Sequence, residues 1–287
     1  MGFMHGQIRY VTRMCLENKI RGNVVSIGRQ DFFCSLREFH GLMVEHGLAV
    51  TKGDGITFHD RAINDRIKAL TKANRHLNDT FRNTAVKDGP IISDLLFYTA
   101  LGFETVDSID ISDRDKANIR FDLNDSDITT VVQNRYDLVI DGGTMEHIFD
   151  IRRVFLHITD LMKTGGYVIH VLPGNNTYDH GFYQFSPTLF RDYYLANRFD
   201  VVNVEVLEAK RNSYSPPGCS FTKRWDSCRF WTYDPVLMGK NSFGQLSDGL
   251  YFTLCCARKR ADSLRDVAPT QYLFSPNHTP ILSPWIP

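Results

Sequence analysis

Carboxylates close the apolar runs of this chain. The run 105–110 (T-V-D-S-I-D) ends in Asp110, and the run 136–141 (Y-D-L-V-I-D) ends in Asp141 just before Gly142 and Gly143. Asp122-Leu123-Asn124 supplies a third acid. One such acid is as readily a helix cap or a solvated charge as a ligand group. The ordered set points to a polar ligand lying across several strand ends, because the crevice of an open parallel sheet lies beyond the carboxyl ends of its strands. A carboxylate at the end of the second strand suits a ribose, since it accepts from both hydroxyls of a diol. Two histidines lie in segments able to face that crevice. His147 follows Glu146 after the run 136–141, and His180 sits in 175–187 (N-N-T-Y-D-H-G-F-Y-Q-F-S-P) beside Asp179. Imidazole is the side chain best tuned to take a proton near neutral pH. His180 is the leading candidate base and His147 the second. The bland alternatives are that His180 bonds backbone within its loop and that Glu146 helps cap a helix starting at 151. Glu146, Asn176, Tyr183 and Gln184 are the candidate acceptor contacts, with Tyr178 and Tyr183 equally readable as packing aromatics.

The chain lacks a phosphate cradle. Val25-Ser26-Ile27-Gly28-Arg29-Gln30 offers one glycine where a dinucleotide site wants three, and Gly53-Asp54-Gly55 has Phe58 at the third position. No G-x-x-x-x-G-K-[ST] segment occurs. Acid-tipped strands without a phosphate loop fit S-adenosylmethionine, which has a ribose and an adenine, no phosphate, and a sulfonium cation that tolerates nearby carboxylates. No protein metal ligands are expected. Mg²⁺ held by Asp141 and Asn175-Asn176 is a disfavoured alternative, because no second carboxylate stands at the fifth strand end.

These residues need a particular scaffold. Short apolar runs at 24–28, 105–110, 136–141, 167–172, 200–207 and 250–257 read as strands. Between them, 91–101, 151–162 and 187–197 read as helices, the second with apolar residues at 151, 154, 155, 158, 161 and 162 and a stop at Lys163-Thr164-Gly165-Gly166. The alternation predicts an α/β fold with a mostly parallel sheet covered on both faces. Residues 31–90 and 210–249 break the rhythm and are expected to be insertions that act as lids. The tail from 261 to 287 is expected to be an extension.

The chain resembles class I S-adenosylmethionine-dependent methyltransferases, nearest to bacterial enzymes acting on sugars and secondary metabolites. The resemblance rests on V-V-S-I-G (24–28), V-D-S-I-D (106–110), F-D-L-N (121–124), Y-D-L-V-I-D-G-G-T-M-E-H-I-F-D (136–150) and L-M-K-T-G-G-Y-V-I-H (161–170). It implies a Rossmann-like, doubly wound, mostly parallel sheet with an antiparallel last strand, filling 1–260 around the two inserted lid segments. It implies S-adenosylmethionine as methyl donor and S-adenosylhomocysteine as product. Gly28 would sit by the methionine part, Asp110 with Ile111 at the ribose, Asp122 and Leu123 by the adenine, and Asp141 and Gly142 at the methionyl end. The first loop departs from the usual D-x-G-x-G, so Arg29 and Gln30 would replace backbone contacts, Arg29 by gripping a carboxylate. About 80 residues separate Gly28 from Asp110, against about 20 in an uninterrupted nucleotide-binding unit.

Composition narrows the function classes. The 33 Lys and Arg balance the 33 Asp and Glu, which argues against a general nucleic-acid binder. No apolar window approaches the roughly 20 residues of a membrane span, and no secretory leader is visible, so the expectation is a cytoplasmic enzyme with a small-molecule acceptor. The six cysteines form no C-x-x-C pair, so neither disulfides nor a cysteine zinc site is expected. Oligomeric state is not readable from the sequence. The leading function is methyl transfer to a hydroxyl of a sugar or natural-product intermediate. The alternatives are N- or C-methylation of a similar acceptor, or a non-catalytic nucleoside-binding scaffold.

Overall fold

The computed structural model describes residues 2–79, 85–86, 89–125, 127–132, 135–209, 228–235 and 249–275. Among them, eight strands form one sheet and are numbered in chain order: β1 (Gly22–Ile27), β2 (Phe103–Asp110), β3 (Ile119–Arg120), β4 (Tyr136–Asp141), β5 (Met162–Pro173), β6 (Asp200–Ala209), β7 (Cys228–Thr232) and β8 (Leu250–Arg258). Their spatial order is β7-β6-β8-β5-β4-β1-β2-β3. The five strands from β5 to β3 run parallel. The last strand, β8, is inserted antiparallel between β5 and β6, and β7 pairs antiparallel outside β6. The chain leaves β1 towards β2 and β3, then returns to lay β4 on the other side of β1. That reversal leaves a crevice beyond the carboxyl ends of β1 and β4.

Both faces of the sheet are covered, which is why its central strands read as unbroken apolar runs. Successive side chains on a strand point to opposite faces. Val24, Leu138, Ile140 and Ile169 face one core, with α1 (His5–Glu17), α2 (Leu36–Glu45) and α4 (Asp94–Ala100). Val25, Ile27, Val139 and Val168 face the other, under α5 (Ile151–Leu161) and α6 (Pro187–Ala196). Residues 31–79 build out the first layer. Asp31–Phe32 pairs with Gly2–Phe3, an antiparallel hairpin joins Ala49–Lys52 to Gly55–Phe58, and α3 (Arg61–Lys72) follows from its Asp60 cap. Phe39, Leu42 and Met43 of α2 are buried in the sheet's own core. This part of the first insertion is therefore core, not a lid. Most of 210–249, the second expected lid, lies outside the described residues.

Two boundaries differ instructively. Lys163-Thr164-Gly165-Gly166, read as the helix stop before a strand at 167, is already the first part of β5, where the pairing slips between Tyr136↔Met162 and Leu138↔Tyr167. Gly165 takes φ +83° there, and its amide donates to Lys259. The helix α1 had no counterpart in the sequence reading. The tail is fastened as far as 275: Arg152 pairs with Asp266 and Arg265 with Asp160, both at 2.6 Å, and the Tyr272 amide donates to Asp192. Cys15, Cys34, Cys255 and Cys256 are buried free thiols, and among the described residues no helix is long and apolar enough to cross a membrane.

Candidate active site

A cavity of about 440 Å³ opens at the carboxyl ends of β1, β2, β3 and β4. Gly28 and Arg29 line it after β1, Asp110, Ile111 and Ser112 after β2, and Phe121, Asp122, Leu123 and Asn124 after β3. Thr144, His147 and Ile148 close it after β4. Gly28 turns the chain with φ +71°, and a side chain there would drive into the Thr144 hydroxyl. Asp110 and Asp122 are half-buried at the rim. Asp110 Oδ1 accepts from the amide of Ser112 at 3.0 Å, and Asp122 Oδ1 from that of Asn124 at 2.8 Å. Each carboxylate is thus oriented through one oxygen by its own turn. Among the described residues the second oxygen of each has no protein partner, so it can meet a ligand hydroxyl or amine. Phe121, Leu123, Ile109 and Ile148 supply apolar walls that suit a flat ring.

Other expected contacts lie behind the wall. Asp141 and Gly142, placed by the resemblance at the methionyl end, are both buried, and neither lines the cavity. Asp141 Oδ2 accepts from His170 Nδ1 at 3.0 Å, and Oδ1 receives the amides of Thr144 and Met145 at 3.3 Å. His170 Nε2 meets the Tyr194 hydroxyl at 2.6 Å. Nδ1 therefore carries the proton for Asp141, while Tyr194 donates to Nε2. This buried relay holds the loop from which Thr144 and His147 face the cavity. Gly142 is covered by Phe3 and the Gln30 side chain. Gln30 is buried as well, its Nε2 donating to the Gly28 carbonyl at 3.0 Å and to Thr144 Oγ1 at 3.3 Å. It locks the β1 turn to the β4 loop. Arg29 does grip carboxylates, but they are the chain's own: Asp94 in two bonds at 3.1 and 3.2 Å, and Asp79 at 3.1 Å.

Glu146, His147 and His180 come together at the edge of the cavity. Glu146 lies on the 3-10 turn Met145–His147, and its side chain is 1% exposed. His180 Nε2 is 3.6 Å and His147 Nε2 3.9 Å from Glu146 Oε1. The loop bearing His180 is clasped there, because the amides of Phe182 and Tyr183 both donate to the Glu146 carbonyl. Gly181 permits the approach, since a Cβ on it would sit 2.7 Å from that carbonyl oxygen and 2.9 Å from Glu146 Cγ. Helix α5 is capped by Asp150, which accepts from the Arg153 amide, so Glu146 is not needed as a cap. Neither Glu146 oxygen has a hydrogen-bond partner in another residue. Burial, helped by the nearby Asp141 charge, pushes the Glu146 carboxyl up to about 8. His180 does not line the cavity itself, and its carboxylate neighbour is Glu146 rather than the adjacent Asp179. The expected acceptor contacts Asn176, Tyr183 and Gln184 are engaged locally. Asn176 donates to the Gly249 carbonyl, Tyr183 to the Phe149 carbonyl, and Gln184 accepts from Thr177.

Residues 88–215, just under half of the chain, match a family model described as a methyltransferase domain. That stretch of the chain is similar to methyltransferase domains. Similar solved structures include an S-adenosylmethionine-dependent methyltransferase from Archaeoglobus fulgidus, 12% identical over 88% of this chain and 94% of that one, with a TM-score of 0.38. A methyltransferase from Mesorhizobium loti is 12% identical over 57% of this chain and 84% of that one, with a TM-score of 0.35. The 1,6-didemethyltoxoflavin-N1-methyltransferase of Burkholderia thailandensis, solved with 1,6-didemethyltoxoflavin and S-adenosylhomocysteine, is 13% identical over 70% and 80%, with a TM-score of 0.35. No curated protein sequence matches the chain.

The cavity fits the methyl donor on its own terms. It pairs two half-buried carboxylates, each with an oxygen left over, with apolar ring-sized walls, and of the arginines lining it Arg29 is bound to Asp94 and Asp79. Thr144, Ser112, Phe121 and Ile148 escaped the sequence reading although each is within a few residues of one it singled out. The signal for His170 was present: a histidine inside the otherwise apolar run 167–172.

Proposed function

We propose that this enzyme transfers a methyl group from S-adenosylmethionine to a hydroxyl of a small molecule, a sugar or natural-product intermediate. The observation that carries this reading is the convergence of Glu146, His147 and His180 beside the donor cavity. When bound, the donor supplies a methyl group made electrophilic by its sulfonium sulfur. Asp110 would hold the ribose diol, Asp122 the adenine amine, and Leu123 and Ile148 would flank the ring. A hydroxyl acceptor must also lose a proton, which an in-line methyl transfer to a neutral amine does not require at the outset. The three-residue cluster provides the site that takes it, with His180 on the solvent side and His147 on the cavity side. Tyr178, Phe149 and Phe182 each lie two residues along the chain from a cluster histidine and are respectively 91%, 74% and 68% exposed. Rings presented this way suit the CH face of a sugar or a flat aromatic acceptor.

The test is a panel of alcohols, phenols and amines, read by release of S-adenosylhomocysteine. Hydroxyl compounds should be methylated, and His180→Ala should cut turnover by about 10²–10⁴-fold with donor affinity little changed, the range for losing a general base. Transfer to amines or carbons alone, or full turnover in the variant, refutes the assignment.

A further inference from the structure

We infer that Glu146, His147 and His180 form a binding site for a divalent transition-metal ion of the zinc class. The inference rests on the proposed function only for the ion's role, not for its presence. Their ligand atoms lie within 4.8 Å of one another. A carboxyl group with 1% side-chain exposure and no hydrogen-bond partner for either oxygen is costly, because a buried polar group, ionised or not, needs a compensating partner. The two imidazoles approach only Oε1, at 3.6 and 3.9 Å, beyond hydrogen-bond range. A cation between the three groups supplies what the carboxylate lacks. Bonds of about 2.0–2.1 Å in tetrahedral geometry space the ligands about 3.3 Å apart, so modest rotations of the two exposed imidazoles close the set.

The donor types select the metal. Two imidazole nitrogens and one carboxylate oxygen suit zinc, cobalt or ferrous iron, and not magnesium or calcium, which prefer oxygen cages. Asp141, the acid of the disfavoured Mg²⁺ alternative, is instead committed to His170 and the loop amides. Three protein ligands leave coordination positions open, as catalytic rather than structural zinc sites do. Because His147 lines the donor cavity, an ion it holds would stand at the cavity's edge, within reach of an acceptor oxygen. The ion would then bind and orient the acceptor through that oxygen and lower its proton affinity, and His180 would act with the ion bound as its ligand rather than as a free base. Gly181 acquires a function in this arrangement, since it lets His180 close over Glu146.

The test is titration of metal-stripped protein with Co²⁺, read by the visible absorption of low-symmetry cobalt and by calorimetry. One ion should bind per chain. His180→Ala and His147→Ala, both at exposed positions, should each weaken binding by at least about tenfold, since loss of even an outer partner of a metal ligand costs about 10–100-fold. Glu146→Gln should abolish it. Melting curves of each variant establish folding, and the two exposed-histidine variants keep the test valid if Glu146→Gln does not fold. No cobalt bound to the wild-type protein, or wild-type affinity in both histidine variants, overturns the site. S-adenosylhomocysteine titrated into the same preparation reads the other site independently. Protein that binds the nucleoside and no cobalt loses the metal proposal alone, and protein that binds cobalt and no nucleoside loses the cofactor reading alone.

Discussion

Replacing Asp141 with asparagine should loosen the loop that faces the cavity, and the size of the effect follows from its bonds. Asp141 is fully buried and uses both oxygens, one for His170 and one for the Thr144 and Met145 amides. In Asp141→Asn one oxygen becomes an amide NH₂, which donates and cannot accept. The remaining oxygen accepts from His170 or from the loop amides, never both, so a buried donor is left facing a donor. His170 can answer by moving its proton to Nε2, but Tyr194 must then turn its own hydroxyl proton away, and the mismatch only travels along the relay. A hydrogen bond to a charged acceptor is worth about 1.5–3 kcal/mol, and an orphaned buried donor costs about 1–3 kcal/mol. The two overlap, so the expected loss is roughly 2–4 kcal/mol. At about 2–4 °C per kcal/mol, the melting midpoint should fall by roughly 5–15 °C. Gln30 still tethers Thr144, so the affinity loss should be smaller, about five- to tenfold or near 1 kcal/mol. Thermal melts and calorimetry with S-adenosylhomocysteine measure the two effects. A midpoint within about 2 °C of wild type would refute the idea that the relay holds the loop.

The other predictions are independent of that relay. Gly28→Ala should abolish measurable S-adenosylhomocysteine binding, because it puts a side chain at φ +71° against Thr144, a conformation costing about 1–2 kcal/mol before any clash. Retained affinity would mean the β1 turn does not shape the cavity. Phe39→Ala should cost about 3–5 kcal/mol in urea unfolding, since the ring is buried in the sheet's core; a loss under about 1 kcal/mol would return the 31–79 segment to the periphery. Burial holds the His157 pKa below its ordinary value, so the folded protein keeps it neutral where the unfolded chain is protonated. Its contribution is complete above the unfolded value of about 6.5 and declines as pH falls below it. His157→Gln should flatten the fall in urea midpoint between about pH 6.5 and pH 5, and an unchanged slope would remove His157 from the account.

The parts of the site that were legible in the sequence are those set by strand periodicity. Apolar runs ending in Asp110 and near Asp122 place both acids at the crevice, because a covered parallel strand must end where its apolar run ends. His147 followed from the same logic. The pairing of His180 with Glu146 was hidden, since it depends on a loop folding back onto the β4 turn and on Gly181 giving it room. Sequence proximity suggested Asp179 instead. Asp141 looked like its fellow acids but sits behind the wall, because the chain after β4 turns its amides inward to it. Helix α1 escaped notice because its buried side includes His5, Gly6, Gln7 and Thr12, which blur the apolar period. The helix does stop before 163–166, but the strand starts at Met162 rather than Tyr167, and Gly165 serves a strand irregularity there.

The central claim is that the acid-lined cavity after β1 to β4 holds the methyl donor, and calorimetric titration of S-adenosylhomocysteine into wild type and Asp110→Ala tests it most directly. Wild type should bind one equivalent. The variant, shown folded by its melting curve, should bind more weakly by about 1.5–3 kcal/mol, or roughly 10–150-fold, the range for a lost charged hydrogen bond. No heat in wild type, or equal affinity in a folded Asp110→Ala protein, would contradict the account.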